Sequence, residues 1–222
     1  MIAGARIDTM PALTLHSLPL FPLGTVLFPG GVLPLRIFEV RYLDMIGRCH
    51  KAGAPFGVVA LTQGHEVRQP GAQPEAFAAI GTLATITDFS QPQPGLMTIH
   101  AVGAQRFHIT SSERLKHGLW VADVERIADD AAVPVPHDLA PTSQALARLL
   151  EGLRSRAEPG QALPVPQPWR LDDCGWVANR WCELLPLSGE MKQRLMALDN
   201  PLVRLELVGD ILARMRIAGN GG

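Results

Sequence analysis

Cysteine is scarce in this chain of 222 residues: Cys49, Cys174 and Cys182 form an odd set without a Cys-x-x-Cys pair. That pattern argues against a disulfide framework and for buried thiols in a reducing, cytoplasmic setting. Net charge is nearly absent too, with 20 basic against 21 acidic residues and a formal value of -1. No run of Lys or Arg supplies a stripe that could follow phosphates, so nucleic-acid binding has little electrostatic support. No Gly-x-x-x-x-Gly-Lys-[Ser/Thr] loop occurs, and nucleotide hydrolysis of that kind lacks both its backbone cradle and its lysine. The first residues lack a basic start followed by an unbroken apolar core, so no signal peptide is expected. No internal repeat is found.

Charge is missing most conspicuously between Asp8 and Arg36. By hydropathy alone such a stretch suggests a membrane span. Five prolines (Pro11, Pro19, Pro22, Pro29, Pro34) and three glycines (Gly24, Gly30, Gly31) break it up. Each internal proline removes a backbone donor and clashes with the preceding turn, at ~3 kcal/mol in a helix. The segment is therefore expected to form short apolar strands joined by tight turns and buried in a sheet or barrel, with no membrane association. A hydrophobic content of 47% with 18% charged residues fits such a well-buried globular chain.

This same stretch carries a resemblance. Pro19-Leu-Phe-Pro22, then Val26-Leu-Phe-Pro-Gly30, then Leu33-Pro-Leu-Arg-Ile-Phe-Glu-Val-Arg-Tyr42 resembles the opening of the Lon amino-terminal, or substrate-binding, domain. Gly81-Thr-Leu-Ala-Thr-Ile86, Gly103-Ala-Gln-Arg-Phe-His-Ile109, Lys192-Gln-Arg-Leu-Met196 and Arg204-Leu-Glu-Leu207 follow in the family's order, so the likeness covers roughly residues 15–215. The resemblance implies an α+β fold: a β-rich, PUA-like pseudo-barrel lobe with one inserted helix, then a helical-bundle lobe. It also implies a noncatalytic module that captures unfolded or tagged polypeptides, acting as an adaptor or client receptor. Its partners would be polypeptide clients or a protease or chaperone. The ATPase and serine–lysine protease parts of complete Lon proteases have no counterpart in this sequence. PUA-like barrels elsewhere recognise RNA, so an RNA- or small-molecule-binding barrel is the alternative reading.

Periodicity fills in the elements. A helix is expected over 37–51, with Phe38, Tyr42, Met45 and Cys49 on its buried face and Arg41, Asp44, Arg48 and Lys51 on a wet one. A strand at 56–61 precedes a polar stretch at 63–78 that reads as a long exposed loop and a candidate binding element. Strands are expected at 81–89, 96–102, 106–110 and 119–127, with Gly103-Ala104 separating the second from the third. The β-rich lobe spans 12–130. Pro134 and Pro136 break the pattern before an α-helical lobe at 137–216. Leu146, Leu149, Leu150 and Leu153 give that lobe its first amphipathic helix, and a proline-rich connector covers 156–169. Asp172 or Asp173 is placed to cap a helix with Val177, Trp181 and Leu184 inside. Ser188 begins the next helix, on Met191, Leu195 and Leu198. Asn200-Pro201 opens the last, on Leu205, Val208, Leu212 and Met215.

No reactive constellation emerges. His100 and His108 fall on neighbouring expected strands without a third ligand, so no metal and no cofactor is expected. Ser188 and Lys192 are four residues apart, but a serine–lysine dyad needs a desolvated lysine and oxyanion donors, and Ser188 reads as a helix cap. Asp129-Asp130 and Asp172-Asp173 are explained by capping or solubility. Aromatics offer more to a binding surface: of four tryptophans, Trp169, Trp176 and Trp181 cluster. Trp181 matches the buried stripe. Trp169 and Trp176, with Arg36 and Arg41, are the candidate peptide-binding residues, and a surface between the lobes is the expected place.

Overall fold

The computed structural model describes residues 13–64, 75–158, 163, 165 and 167–215. The middle of the expected 63–78 loop, most of the prolines and glycine of the expected connector, and the glycine-rich tail lie outside them. Strand β1 (Thr14–Leu23) and strand β2 (Val32–Ile37) lead into helix α1 (Val40–Ala52). Then come β3 (Phe56–Gln63), β4 (Ala76–Phe77), β5 (Ile80–Gln93), β6 (Leu96–Arg114) and β7 (Trp120–Arg126). A short 3-10 turn at His137–Leu139 opens the helices α2 (Ala140–Arg156), α3 (Cys174–Leu184), α4 (Gly189–Ala197) and α5 (Pro201–Arg214). This is the mixed α+β architecture expected from the sequence.

The strands lie in the order β1-β7-β6-β5-β3-β4, and a parallel β1–β3 pairing closes the first five into a barrel. Leu18, Leu20, Val59, Leu83, Phe107, Ala122 and Val124 form one buried cluster of this barrel. Helix α1 packs Tyr42, Met45, Ile46 and Cys49 on Phe21, Ile37, Phe56 and Ile99. The link between β1 and β2 leaves the barrel instead of turning tightly: Val26 and Phe28 join Trp181, Leu146, Leu205 and Val208 in the helical core.

Three details depart from expectation. Helix α1 starts at Val40, because Ile37 is still paired with Met97 and Glu39 is extended at φ -78°, ψ 131°. Phe38 consequently follows the two-residue alternation of a strand and points outward, 56% exposed. Strand β6 is continuous through Gly103. That glycine is no turn; it lets Phe28 pass so closely that a Cβ would run into the Phe28 carbonyl oxygen. His100 and His108 therefore share one strand, both exposed, and do not meet across a ladder. Finally, Met191 and Met215 sit on the outer side of their helices, 38% and 40% exposed.

The local signals hold where chemistry is local. Asp173 accepts from the Trp176 N–H, Ser188 from Met191 and Asn200 from Leu202 and Val203, each opening its helix. Gly53, at φ 61°, ends α1 in the left-handed conformation.

Candidate functional site

Two regions hold the expected site residues. The first is the corner where β2 runs into α1. Among the described residues β2 pairs with β6 alone, so its other edge is open. The Gly103 N–H donates to the Gly31 carbonyl at 2.9 Å, one step before the Val32–Val102 pair. Bonded and non-bonded positions alternate along an antiparallel ladder. Leu33, Leu35 and Ile37 thus turn their backbone groups to β6, while Val32, Pro34 and Arg36 turn theirs outward. Proline falls where its missing N–H breaks no ladder bond, and the open edge keeps the Val32 and Arg36 N–H groups and three carbonyls.

Side chains at this corner alternate as well. Pro34, Arg36, Phe38 and Val40 are exposed, Val40 at 80%, whereas Ile37 and Arg41 are buried. Arg36, a sequence candidate, lies in this outward strip.

Arg41 does not lie on a wet face. Its side chain is 5% exposed. The Arg41 Nε donates to Glu39 Oε2 at 3.1 Å, and both Nη groups reach Glu75 Oε1 at 3.3 Å. A further bond runs from Nη1 to the Gly118 carbonyl at 3.0 Å, and the guanidinium lies 4.5 Å over the Tyr42 ring. Burial opposes the charge, but Tyr42, Glu39 and Glu75 outweigh it, leaving the Arg41 pKa raised. Trp120 Nε1 donates to the other Glu75 oxygen at 2.8 Å.

The second region is the junction between barrel and helices. Asp130 accepts from Arg106 on β6 at 3.2 Å and from both Nη groups of Arg204 on α5. Arg204 also donates to Asn179 on α3 and to the carbonyls of Leu195 and Leu198. Arg106 reaches the carbonyls of Met196 and Leu198 and the Asp199 carboxylate. Burial lowers the Arg106 pKa; Asp130 works against that shift and Arg204 adds to it. The expectation that Asp130 merely caps or solubilises fails here, since it is the shared counter-ion of two buried arginines. Nearby, Arg180 Nη2 donates to the Pro29 carbonyl at 2.9 Å and to Glu183 at 2.7 Å.

A cleft of about 190 Å³ opens at this junction, lined in part by Pro29, Arg106, Asp129, Arg170, Asp173 and Trp176. Its polar groups are already satisfied: Asp129 by Gln105, and Asp173 by Arg170 and the α3 N-terminus. Trp176 is half-buried at its rim beneath Arg180. Trp169 does not line it; its Nε1 donates to the Val165 carbonyl and its ring faces Arg154. The structure therefore does not gather Trp169, Trp176, Arg36 and Arg41 into one surface.

Lys192 does not face Ser188 as a dyad would require; its Nζ donates to the Glu183 carbonyl. Cys49, Cys174 and Cys182 are buried free thiols, and burial pushes Cys182 up to about 12. Among the described residues no group of three or more His, Cys, Asp or Glu side chains is placed to hold a metal ion. No described helix is long and apolar enough to cross a membrane.

The buried arginines and Glu75 escaped the sequence reading. Arg204 left a trace, since it occupies the stripe 201, 204, 205, 208, 212 that packs inward on α5. Glu75 left none.

A family model for the substrate-binding domain of ATP-dependent protease La (LON) matches residues 17–214. The crystal structure of a Lon N-terminal domain protein from Xanthomonas campestris is similar at 31% identity and a TM-score of 0.68. It covers 88% of this chain and 98% of its own. The N-terminal domain of Lon protease from the Mycobacterium avium complex has 18% identity and a TM-score of 0.57, over 89% of this chain and 98% of its own, a likeness of fold.

Proposed function

The chain belongs to the Lon substrate-binding domain family, and we propose on that premise that it is a noncatalytic module that binds unfolded or tagged polypeptide segments. The observation that carries this reading is the 34–40 corner: an open strand edge continuing into uncovered Phe38 and Val40. An extended segment can add to β2 through main-chain bonds and lay apolar side chains over these two. Burying each gives on the order of 1.5–3 kcal/mol, with broad preference and little sequence specificity. The edge is interrupted by Pro34, which favours short, reversible pairing over sheet growth.

The inter-lobe cleft beside Trp176 has less to support it as the docking surface. Its volume falls below the roughly 300–1,000 Å³ of ordinary ligand sites, and its carboxylates already have partners, Asp129 in Gln105 and Asp173 in Arg170. A module of this kind works in the cytoplasm as an adaptor or client receptor for a separate protease or chaperone. The RNA reading has one exposed cation, Arg36, in the strip and a net charge of -1 against it.

Fluorescence anisotropy with reduced, carboxymethylated lactalbumin, which stays unfolded, tests the function. The expected result is saturable binding that folded lactalbumin does not compete away. Equal binding of both forms, or none of either, defeats the proposal; salt-sensitive retention of single-stranded RNA in their place establishes the alternative.

A further inference from the structure

We propose that Arg41 is a positioning residue for the 34–40 strip, an inference that rests on the docking reading above. Glu39 stands between the two uncovered apolar residues, Phe38 and Val40. The Arg41 Nε holds its carboxylate at 3.1 Å, and the Glu39 side chain is 22% exposed. With Glu39 turned inward and the backbone extended at that residue, its neighbours on either side must point outward. Phe38 and Val40 do so, at 56% and 80% exposure.

Arg41 is itself fixed from three directions. Glu75, 8% exposed, takes both Nη groups and is held in turn by Trp120. The Gly118 carbonyl takes a further bond from Nη1, and Tyr42 lies beneath the guanidinium plane. Four elements of structure thus converge on one planar fork: the β2–α1 corner, the start of α1, the entry to β4, and the β6–β7 turn with β7. A lysine at this position keeps the charge but is a point donor that cannot serve Glu39, Glu75 and Gly118 together. Phe38 and Val40 each leave more than half of their surface to solvent, so their presentation depends chiefly on this clamp.

Anisotropy with the same unfolded lactalbumin, well below each variant's melting midpoint, tests the inference. Arg41→Lys and Glu39→Ala are expected to weaken affinity about tenfold, although neither removes an apolar contact. Glu39→Gln, whose amide oxygen still accepts from Nε, is expected to stay within about threefold of the parent chain. Should Arg41→Lys fail to fold, Glu39→Ala carries the test, because the bonds of Arg41 to Glu75 and Gly118 remain. A merely structural role would lower the midpoint and leave the affinity of the folded chain unchanged. If Phe38→Ser with Val40→Lys loses binding while Arg41→Lys and Glu39→Ala do not, the positioning role is overturned and the docking reading stands. If the Phe38/Val40 variant also binds normally, both fall.

Discussion

The junction around Asp130 and the corner around Phe38 use their side chains in opposite ways. At the junction, Arg106 and Arg204 are almost entirely buried, and each is bonded to Asp130 and to backbone carbonyls. At the corner, Phe38 and Val40 face solvent, and the clamp behind them is the ordered part. Buried charge is tolerated only when paired, so Arg106, Arg204 and Asp130 cannot turn to a ligand without losing stability. Exposed apolar side chains carry little folding energy, so Phe38 and Val40 can be changed without harming the fold. The first region ties barrel to helices; the second is the one to which the proposed function assigns binding.

The sharpest way to break that contrast is Asp130→Ala. Leaving two buried guanidiniums without their carboxylate is expected to cost about 3–5 kcal/mol, read as a fall of roughly 10 °C in melting midpoint for a chain of this size. A fall no larger than that of a surface substitution would mean that the junction is not what joins the lobes.

Glu183 sharpens the picture through pH. Burial raises its carboxyl to about 7, with Arg180 and Lys192 pulling the other way. The folded chain therefore keeps a proton that the unfolded chain releases near the ordinary value of 4.5. This contribution is fully present below that lower value and is lost as pH rises through about 7, by at most about 3 kcal/mol. Denaturant unfolding at about pH 5 and about pH 8 should show Glu183→Gln gaining on the parent chain as pH rises. A difference that does not change with pH contradicts the shift.

A smaller effect separates local from long-range stabilisation. Asn200→Ala removes the side chain that accepts from the Leu202 and Val203 N–H groups. About 1 kcal/mol is expected from denaturant titration, well short of the Asp130 effect. Parity between the two would place the strength of the helical lobe in its caps.

The cap residues were legible in the sequence because their partners are two or three positions away. So was the α+β division, since the prolines of the opening exclude a helix and the later apolar stripes recur at helical spacing. Gly103 was misread as a turn because its reason lies in Phe28, far off in the chain. Arg106 and Arg204 received no role from the sequence because Asp130 reaches them only after the barrel and α5 have met. Phe38 was assigned to a helix face because nothing local reveals that β2 continues to Ile37 against Met97. The openness of the β2 edge is a property of topology, and no window of residues contains it. Of the expected site residues, Arg36 lies in the docking strip of the proposed function and Arg41 directly behind it. Trp176 rims the cleft, and Trp169 packs elsewhere.

The most direct test compares two double variants in the lactalbumin anisotropy assay, each checked for an unchanged melting midpoint. Phe38→Ser with Val40→Lys is expected to weaken binding about tenfold or more, and Trp169→Ala with Trp176→Ala to stay within about threefold. Lost binding in the tryptophan pair, with the Phe38/Val40 pair unaffected, would contradict the account.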